Sequence, residues 1–96
     1  MKIPKTIKIG NLTYTISQLL EDQKDDYYGS GSAKYQWIKL DFKQMSKEHL
    51  EETFLHEIIH QILDQKKFMD ECHDEKLVST LANGLYQVLK DNNLLK

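Results

Sequence analysis

The residues His56-Glu57-Ile58-Ile59-His60 place two imidazoles and one carboxylate within a single short segment. On an α-helix, His56 and His60 lie about 40° apart around the axis and about 6 Å apart along it, so both can bind one metal ion. Glu57 flanks the pair and is better placed to accept a proton beside an open coordination position than to be a ligand. This H-E-x-x-H spacing predicts a zinc site that activates water for hydrolysis.

A catalytic zinc site of this kind needs a third protein ligand. The candidates lie together after the motif, at Cys72, His73, Asp74 and Glu75. Glu75 is preferred because it heads the apolar stripe of the next predicted helix and should point toward the motif helix. His73 and Asp74 remain open as alternatives. Cys72 has no second cysteine with which to complete a Cys/His structural site, and is predicted to be a plain thiol.

The motif requires a long helix whose other faces are apolar, and the surrounding sequence has that pattern. Ser46 is a predicted N-cap, and Glu48 lies in the first turn, where a carboxylate favours the positive end of the helix dipole. The predicted helix runs to about Gln65. Its apolar side chains occupy one broad sector at helical spacing, namely Leu55, Ile58, Ile59, Ile62 and Leu63.

The segments before the motif predict a small sheet. Residues 5–9 and 12–16 alternate apolar and polar side chains around Gly10-Asn11, a pattern typical of a hairpin. Residues 27–32 are rich in Gly and Ser and predict a flexible loop. Residues 35–40 contain aromatic and β-branched side chains and predict a third strand.

A connector over residues 66–72 and a second helix over residues 74–90 complete the predicted order. This helix should bury a stripe formed by Val78, Leu81, Ala82, Leu85, Val88 and Leu89, and Gly84 is interpreted as a point of close packing against the motif helix. We therefore expect an α+β fold, with a three-stranded, mainly antiparallel sheet followed by two packed helices, the first carrying the motif.

Length and charge restrict the class of protein. The 96 residues suit one domain, residues 1–96, and a net charge of −2 provides no positive field for nucleic acid or an anionic membrane. The single cysteine, Cys72, excludes an intrachain disulfide framework, and the sequence contains no apolar signal region or membrane-spanning run. We expect a cytoplasmic protein that binds neither nucleic acid nor a membrane.

With His56-Glu57-x-x-His60, a carboxylate at Glu75 and strands before the motif, the chain resembles the gluzincin group of zinc metallopeptidases. In size it is similar to the minigluzincins and to the small ImmA/IrrE-type and SprT-like domains often carried by phages and prophages. The order of elements is similar over nearly the whole chain, whereas the specific motif covers only residues 54–75.

The resemblance implies a minimal zincin fold in which His56, His60 and Glu75 bind Zn²⁺ and Glu57 is the general base. It implies a peptide or protein substrate bound along the edge of the strand before the motif helix, here residues 35–40. The alternative is a catalytically weak or inactive module of phage or prophage origin, in which zinc fixes the two helices and the strand edge binds a partner protein. A coincidental motif that binds no metal is the third possibility. The oligomeric state is not predicted.

Overall fold

The structure is a computed structural model that describes residues 1–20 and 29–95. Strand β1 (Thr6–Ile9) and strand β2 (Leu12–Gln18) form the predicted antiparallel hairpin, with Ile9 opposite Leu12. Gly10 opens the two-residue turn with φ 59, a backbone conformation that a side chain would disfavour. The hairpin is the part of the sheet that local sequence pattern determines.

The rest of the sheet differs from the prediction of three mainly antiparallel strands. Strand β3 (Gly29–Ser32) pairs antiparallel with strand β4 (Trp37–Leu40), and β4 pairs parallel with β2. The result is a mixed four-stranded sheet in the order β1-β2-β4-β3. Part of the predicted loop is therefore a strand, because cross-strand pairing with β4 outweighs the low strand propensity of Gly and Ser.

The prediction that residues 35–40 form an exposed edge is also wrong. β4 lies between β2 and β3 and is hydrogen-bonded on both sides, while β3 is the edge strand at that end of the sheet among the described residues. Ile38 and Leu40 are fully buried, as central-strand residues facing a helix should be. Any edge available near the motif helix therefore belongs to β3.

Helix α1 (Lys47–Gln65) covers one face of the sheet and carries the motif. It begins as predicted, with Ser46 Oγ accepting a hydrogen bond from His49 N at 3.2 Å. The core between sheet and helix consists of side chains from both, chiefly Ile9, Tyr14, Ile16, Ile38, Leu40 and Phe54. Burial of this apolar surface fixes which face of α1 meets the sheet.

A buried hydrogen-bond network fixes the rotation of α1 further. Gln65 Nε2 donates to Tyr14 Oη and to the Ile9 carbonyl, both at 2.9 Å, and Tyr14 Oη donates to Gln61 Oε1 at 3.2 Å. Tyr14 is fully buried, so loss of any of these bonds would leave a buried polar atom with neither a protein nor a water partner. The network joins the hairpin to the two helical turns that follow Glu57.

The chain reverses at the end of α1 through a Schellman motif, in which Lys67 has φ 67 and Phe68 N donates to the Leu63 carbonyl at 2.9 Å. The short helix α2 (Met69–Cys72) then interrupts the predicted connector and leads into helix α3 (Glu75–Asp91). The reversal returns the chain along α1, so the start of α3 lies beside the second half of the motif helix.

Helix α3 runs antiparallel to α1 and buries less of its surface than predicted. Val78 and Ala82 are buried as expected, Tyr86 is buried as well, and Leu89 is partly buried. Leu81, Leu85 and Val88 are exposed, because α1 covers only one side of α3. A Cβ at Gly84 would meet no atom within 4 Å, so Gly84 is not a point of close packing against α1.

Within the described part of the chain, no helix is long and apolar enough to cross a membrane.

Candidate metal centre

Three side chains from the two long helices converge at one point. The Nε2 atoms of His56 and His60 lie 3.1 Å apart, and the rings are inclined at 62°. Glu75 places Oε2 3.1 Å from His56 Nε2 and Oε1 2.9 Å from His60 Nε2. Two imidazole nitrogens and one carboxylate therefore form a compact triangle of potential metal-binding atoms.

This triangle has the size and composition of a group that could hold a metal ion such as zinc. Around a tetrahedral ion with metal–ligand distances of about 2.1 Å, neighbouring ligand atoms lie about 3.4 Å apart. The observed separations of 2.9–3.1 Å are slightly shorter, and side-chain shifts of about 0.3 Å would admit the ion. Nitrogen and carboxylate oxygen are the donor types that zinc favours.

The electrostatics of the triangle also favour a cation. Burial, and then the nearby His60, lower the pKa of His56, although the Glu75 carboxylate acts in the opposite direction. A neutral imidazole is the form that binds metal. His56 Nε2 lies close to both His60 Nε2 and Glu75 but, when neutral, can donate at most one hydrogen bond. A cation would satisfy all three groups at once.

Helix geometry explains why Glu75 is the residue that reaches the histidines. Asp74 is the N-cap of α3, and its Oδ1 accepts from Leu77 N at 3.0 Å, so its carboxylate is engaged by its own helix. His73 lines the same groove but does not belong to the cluster. Glu75 is the first residue of α3 and turns toward α1. Its carboxylate points toward the motif helix as expected, although its side chain is 67% exposed.

Glu57 lies beside the triangle and outside it. It is buried, lines the same groove as the histidines, and has no hydrogen bond to its carboxyl group among the described residues. Burial in the first place, and the Glu75 charge in the second, raise the pKa of Glu57 to about 7. The structure thus places a carboxyl group that can take up and release a proton near neutral pH beside the potential metal-binding atoms.

The triangle opens onto a groove of about 710 Å³ between α1, the start of α3 and the edge strand β3. Gly29, Ser30 and Gly31 form the β3 side of this groove. A Cβ at Gly29 would lie 2.8 Å from Thr53 Cγ2, so only glycine lets the strand approach α1 this closely. The groove is open to solvent along the part of β3 formed by these residues.

Two contacts to the Nδ1 atoms of the histidines were not predicted from the sequence. Ser79 Oγ lies 3.5 Å from His56 Nδ1, and Cys72 Sγ lies 3.9 Å from His60 Nδ1 and donates to the His60 carbonyl at 3.4 Å. Burial raises the pKa of Cys72, which keeps it a thiol and agrees with the plain thiol predicted. Ser79 lies one helical turn after Glu75, and this spacing could have predicted that it faces the same histidine pair.

His49 and Thr53 line the groove on the turns of α1 before the motif. Tyr86 is buried against Glu51, away from the triangle. Tyr27 and Tyr28, in the predicted loop, lie outside the described residues.

Comparisons with models of protein families, with curated proteins and with solved structures found no match to this chain.

Proposed function

We propose that this chain is a zinc-dependent peptidase in which His56, His60 and Glu75 hold the metal and Glu57 is the general base. The observation that carries the proposal is the convergence of two imidazoles and one carboxylate within 3.1 Å of one another, beside a buried carboxyl group that is not part of the cluster. That arrangement provides separate groups for metal binding and for proton transfer.

Zinc held by these three residues would supply Lewis acidity, which polarises a carbonyl oxygen and acidifies water. The protein supplies the rest. Glu57 takes up a proton from water as water attacks the scissile carbonyl, and delivers that proton to the leaving amine. Glu57 is buried, lines the groove and has no hydrogen bond to its carboxyl group among the described residues, so this group would be available to water.

The substrate would be an extended peptide bound along β3, rather than along residues 35–40. β3 is the edge strand of the sheet, and three of its residues line the groove next to the metal-binding cluster. Peptides add to such edges through backbone hydrogen bonds. Because the Gly29 and Gly31 positions carry no side chain toward α1, a peptide on this edge would lie close to Glu57.

The composition of the cluster supports a catalytic site over a closed structural one. A structural zinc site has four protein ligands, whereas a catalytic site keeps one position open. Within residues 1–20 and 29–95, the cluster has three members, and His73, the candidate for closing it, is not among them. This favours the peptidase over the alternative of a zinc-stabilised interaction module.

The test is cleavage of a diverse peptide library by protein of known zinc content. Glu57→Gln should keep zinc and the fold while losing hydrolysis, because it preserves shape and removes the base. Glu48→Gln is the matched control, an exposed carboxylate on the same helix whose loss should leave cleavage unchanged. Equal cleavage by wild type and Glu57→Gln would assign the activity to a contaminant. A purified protein that contains no zinc and whose thermal stability is unchanged by added zinc would refute the proposal.

A further inference from the structure

Gln61 is a buried polar residue of α1 that leaves one end of its carboxamide unpaired. The residue is 4% exposed, and its Oε1 accepts a hydrogen bond from Tyr14 Oη at 3.2 Å. Its Nε2 has no acceptor among the described residues, yet this atom is not fully enclosed, and Gln61 lines the metal-binding groove. An amide donor therefore meets the groove without a protein partner. Buried donors of this kind are rare, because a missing acceptor destabilises the folded state.

The hydrogen bonds behind Gln61 determine which end of its carboxamide faces the groove. The Ile9 carbonyl can only accept, so the Gln65 atom bonded to it is the amide nitrogen. The same nitrogen donates to Tyr14 Oη at 2.9 Å, which leaves the hydroxyl proton of Tyr14 to be donated to Gln61. Gln61 consequently presents its oxygen to Tyr14 and its nitrogen to the groove.

The unpaired amide lies beneath the strand edge on which the proposed substrate would bind. A Cβ at Gly31 would lie 2.5 Å from Gln61 Nε2 and 3.4 Å from Glu57 Oε1, so Gly31 faces both side chains. Residues opposite one another on neighbouring strands project to the same face of a sheet, with Cβ atoms about 4.5–5.5 Å apart. The peptide residue opposite Gly31 would therefore direct its side chain toward α1, into the space beside Gln61.

We propose that Gln61 determines specificity by donating a hydrogen bond from Nε2 to the side-chain carbonyl of the peptide residue opposite Gly31, so that asparagine or glutamine is preferred there. The inference rests on the proposed peptidase function and names a substrate class for it. An aliphatic side chain would cover the amide donor and leave it without an acceptor, which a site built to donate a hydrogen bond rejects strongly. An acidic side chain would be disfavoured by the acidic residues that line the groove, namely Glu52, Glu57, Asp64 and Glu75.

The first experiment measures which peptide residue is preferred. A peptide that the wild type cleaves is rebuilt with asparagine, glutamine, aspartate and leucine at each position in turn, and kcat/KM is measured for each. At one position, asparagine or glutamine should exceed leucine and aspartate at least about tenfold. Gln61→Met, which is similar in length but has no donor, should lose this preference. Gln87→Met is the matched control and should keep it, since Gln87 is an exposed glutamine of α3 that donates to Asp91.

Gln61→Met also removes the acceptor of Tyr14 Oη, so loss of the preference must be separated from loss of the fold. Gln61→Met combined with Tyr14→Phe removes both partners of that hydrogen bond, and circular dichroism verifies that the variant is folded. The double variant should lose the preference as the single variant does. A preference that either folded variant retains, or a wild type that cleaves without any such preference, overturns the role of Gln61 and leaves the peptidase proposal standing.

The second experiment requires no cleavage. In heteronuclear NMR spectra of isotope-labelled, zinc-loaded Glu57→Gln, the side-chain NH₂ signals of Gln61 should shift when the preferred peptide is added, and those of Gln87 should not. If the wild type cleaves no peptide of a diverse library, the peptidase proposal fails, and threonine-rich peptides with a central asparagine or leucine are added instead. Gln61 signals that move with the asparagine peptide alone support the inference. Signals that move with neither peptide, or equally with both, overturn it.

Discussion

Gly31 of β3 lies so close to Gln61 of α1 that a Cβ at position 31 would come within 2.5 Å of Gln61 Nε2 and 3.4 Å of Glu57 Oε1. The edge strand is thus in contact with the very turn of the helix that carries the proposed base. Gln61 cannot move away freely, because its Oε1 accepts from the buried hydroxyl of Tyr14. A single glycine therefore connects the strand edge, the general base and the helix–hairpin network.

Gly31→Ala should destabilise the protein by about 1–3 kcal/mol, the usual cost of overpacking a close contact. The added methyl group displaces Gln61 and strains its hydrogen bond with Tyr14. Urea unfolding followed by circular dichroism measures the change. A stability equal to that of wild type would show that β3 does not lie against α1 as described.

Gly84→Ala should stabilise the protein, in contrast to Gly31→Ala. Gly84 lies in the interior of α3, where alanine is favoured over glycine by about 0.5–1 kcal/mol, and its Cβ would meet no atom within 4 Å. The same urea experiment, carried out at low protein concentration, should therefore show a gain in stability. A loss would mean that Gly84 packs closely after all, as the sequence alone had suggested.

The elements that local pattern determines agree with the sequence. Ser46 caps the motif helix and α1 ends at Gln65 as predicted, because capping and helical periodicity are properties of neighbouring residues. The cluster of His56, His60 and Glu75 could also be predicted. It requires only the four-residue spacing of the two histidines on α1 and a following helix that runs back along α1.

The elements that depend on distant partners were not predictable. Residues 29–32, Gly-Ser-Gly-Ser, have no intrinsic preference for a strand, and their pairing with β4 depends on contacts made across the sheet. The position of β4 between β2 and β3 is likewise a matter of topology. On α3, periodicity identifies an apolar surface but does not say how much of it α1 covers, which is why Leu81, Leu85 and Val88 were expected in the core.

Tyr86→Phe should lower stability in a pH-dependent way. Tyr86 Oη donates to Glu51 Oε1 at 2.7 Å, and both residues are buried. Burial by itself raises the pKa of Glu51, but the Tyr86 hydrogen bond and the Met1 ammonium, 2.9 Å from Oε2, outweigh it and lower the pKa. A carboxyl group with a lowered folded-state pKa contributes stability that is present above its ordinary value of 4.5 and lost as the pH falls through the folded-state pKa.

The loss caused by Tyr86→Phe should therefore be about 1.5–3 kcal/mol at pH 7 and smaller at an acidic pH below the folded-state pKa of Glu51, where its carboxyl group is protonated in both states. Denaturant unfolding of wild type and variant at the two pH values measures it. Tyr35→Phe, at an exposed tyrosine, is the control and should change stability little at either pH. A loss that is the same at both pH values would mean that the Glu51 charge does not contribute.

Zinc should stabilise the wild-type protein, by about 2.7 kcal/mol at a free concentration about 100 times its dissociation constant. Glu75→Ala should remove most of this increment, because it deletes the carboxylate that lies 2.9–3.1 Å from both histidines. Asp74→Ala should instead lower stability by about 1 kcal/mol with and without zinc alike, since Asp74 caps α3.

Thermal unfolding of wild type, Glu75→Ala and Asp74→Ala, each with zinc and with a chelator, separates the two effects. Loss of a metal ligand lowers the stability gained from zinc, whereas loss of a helix cap lowers the stability measured with the chelator. His73→Ala completes the set and should alter neither quantity, since His73 is exposed and lies outside the cluster. If His73→Ala were the substitution that removed the zinc increment, the metal would be held by three histidines. The carboxylate of Glu75 would then be a neighbour of the site and not one of its ligands.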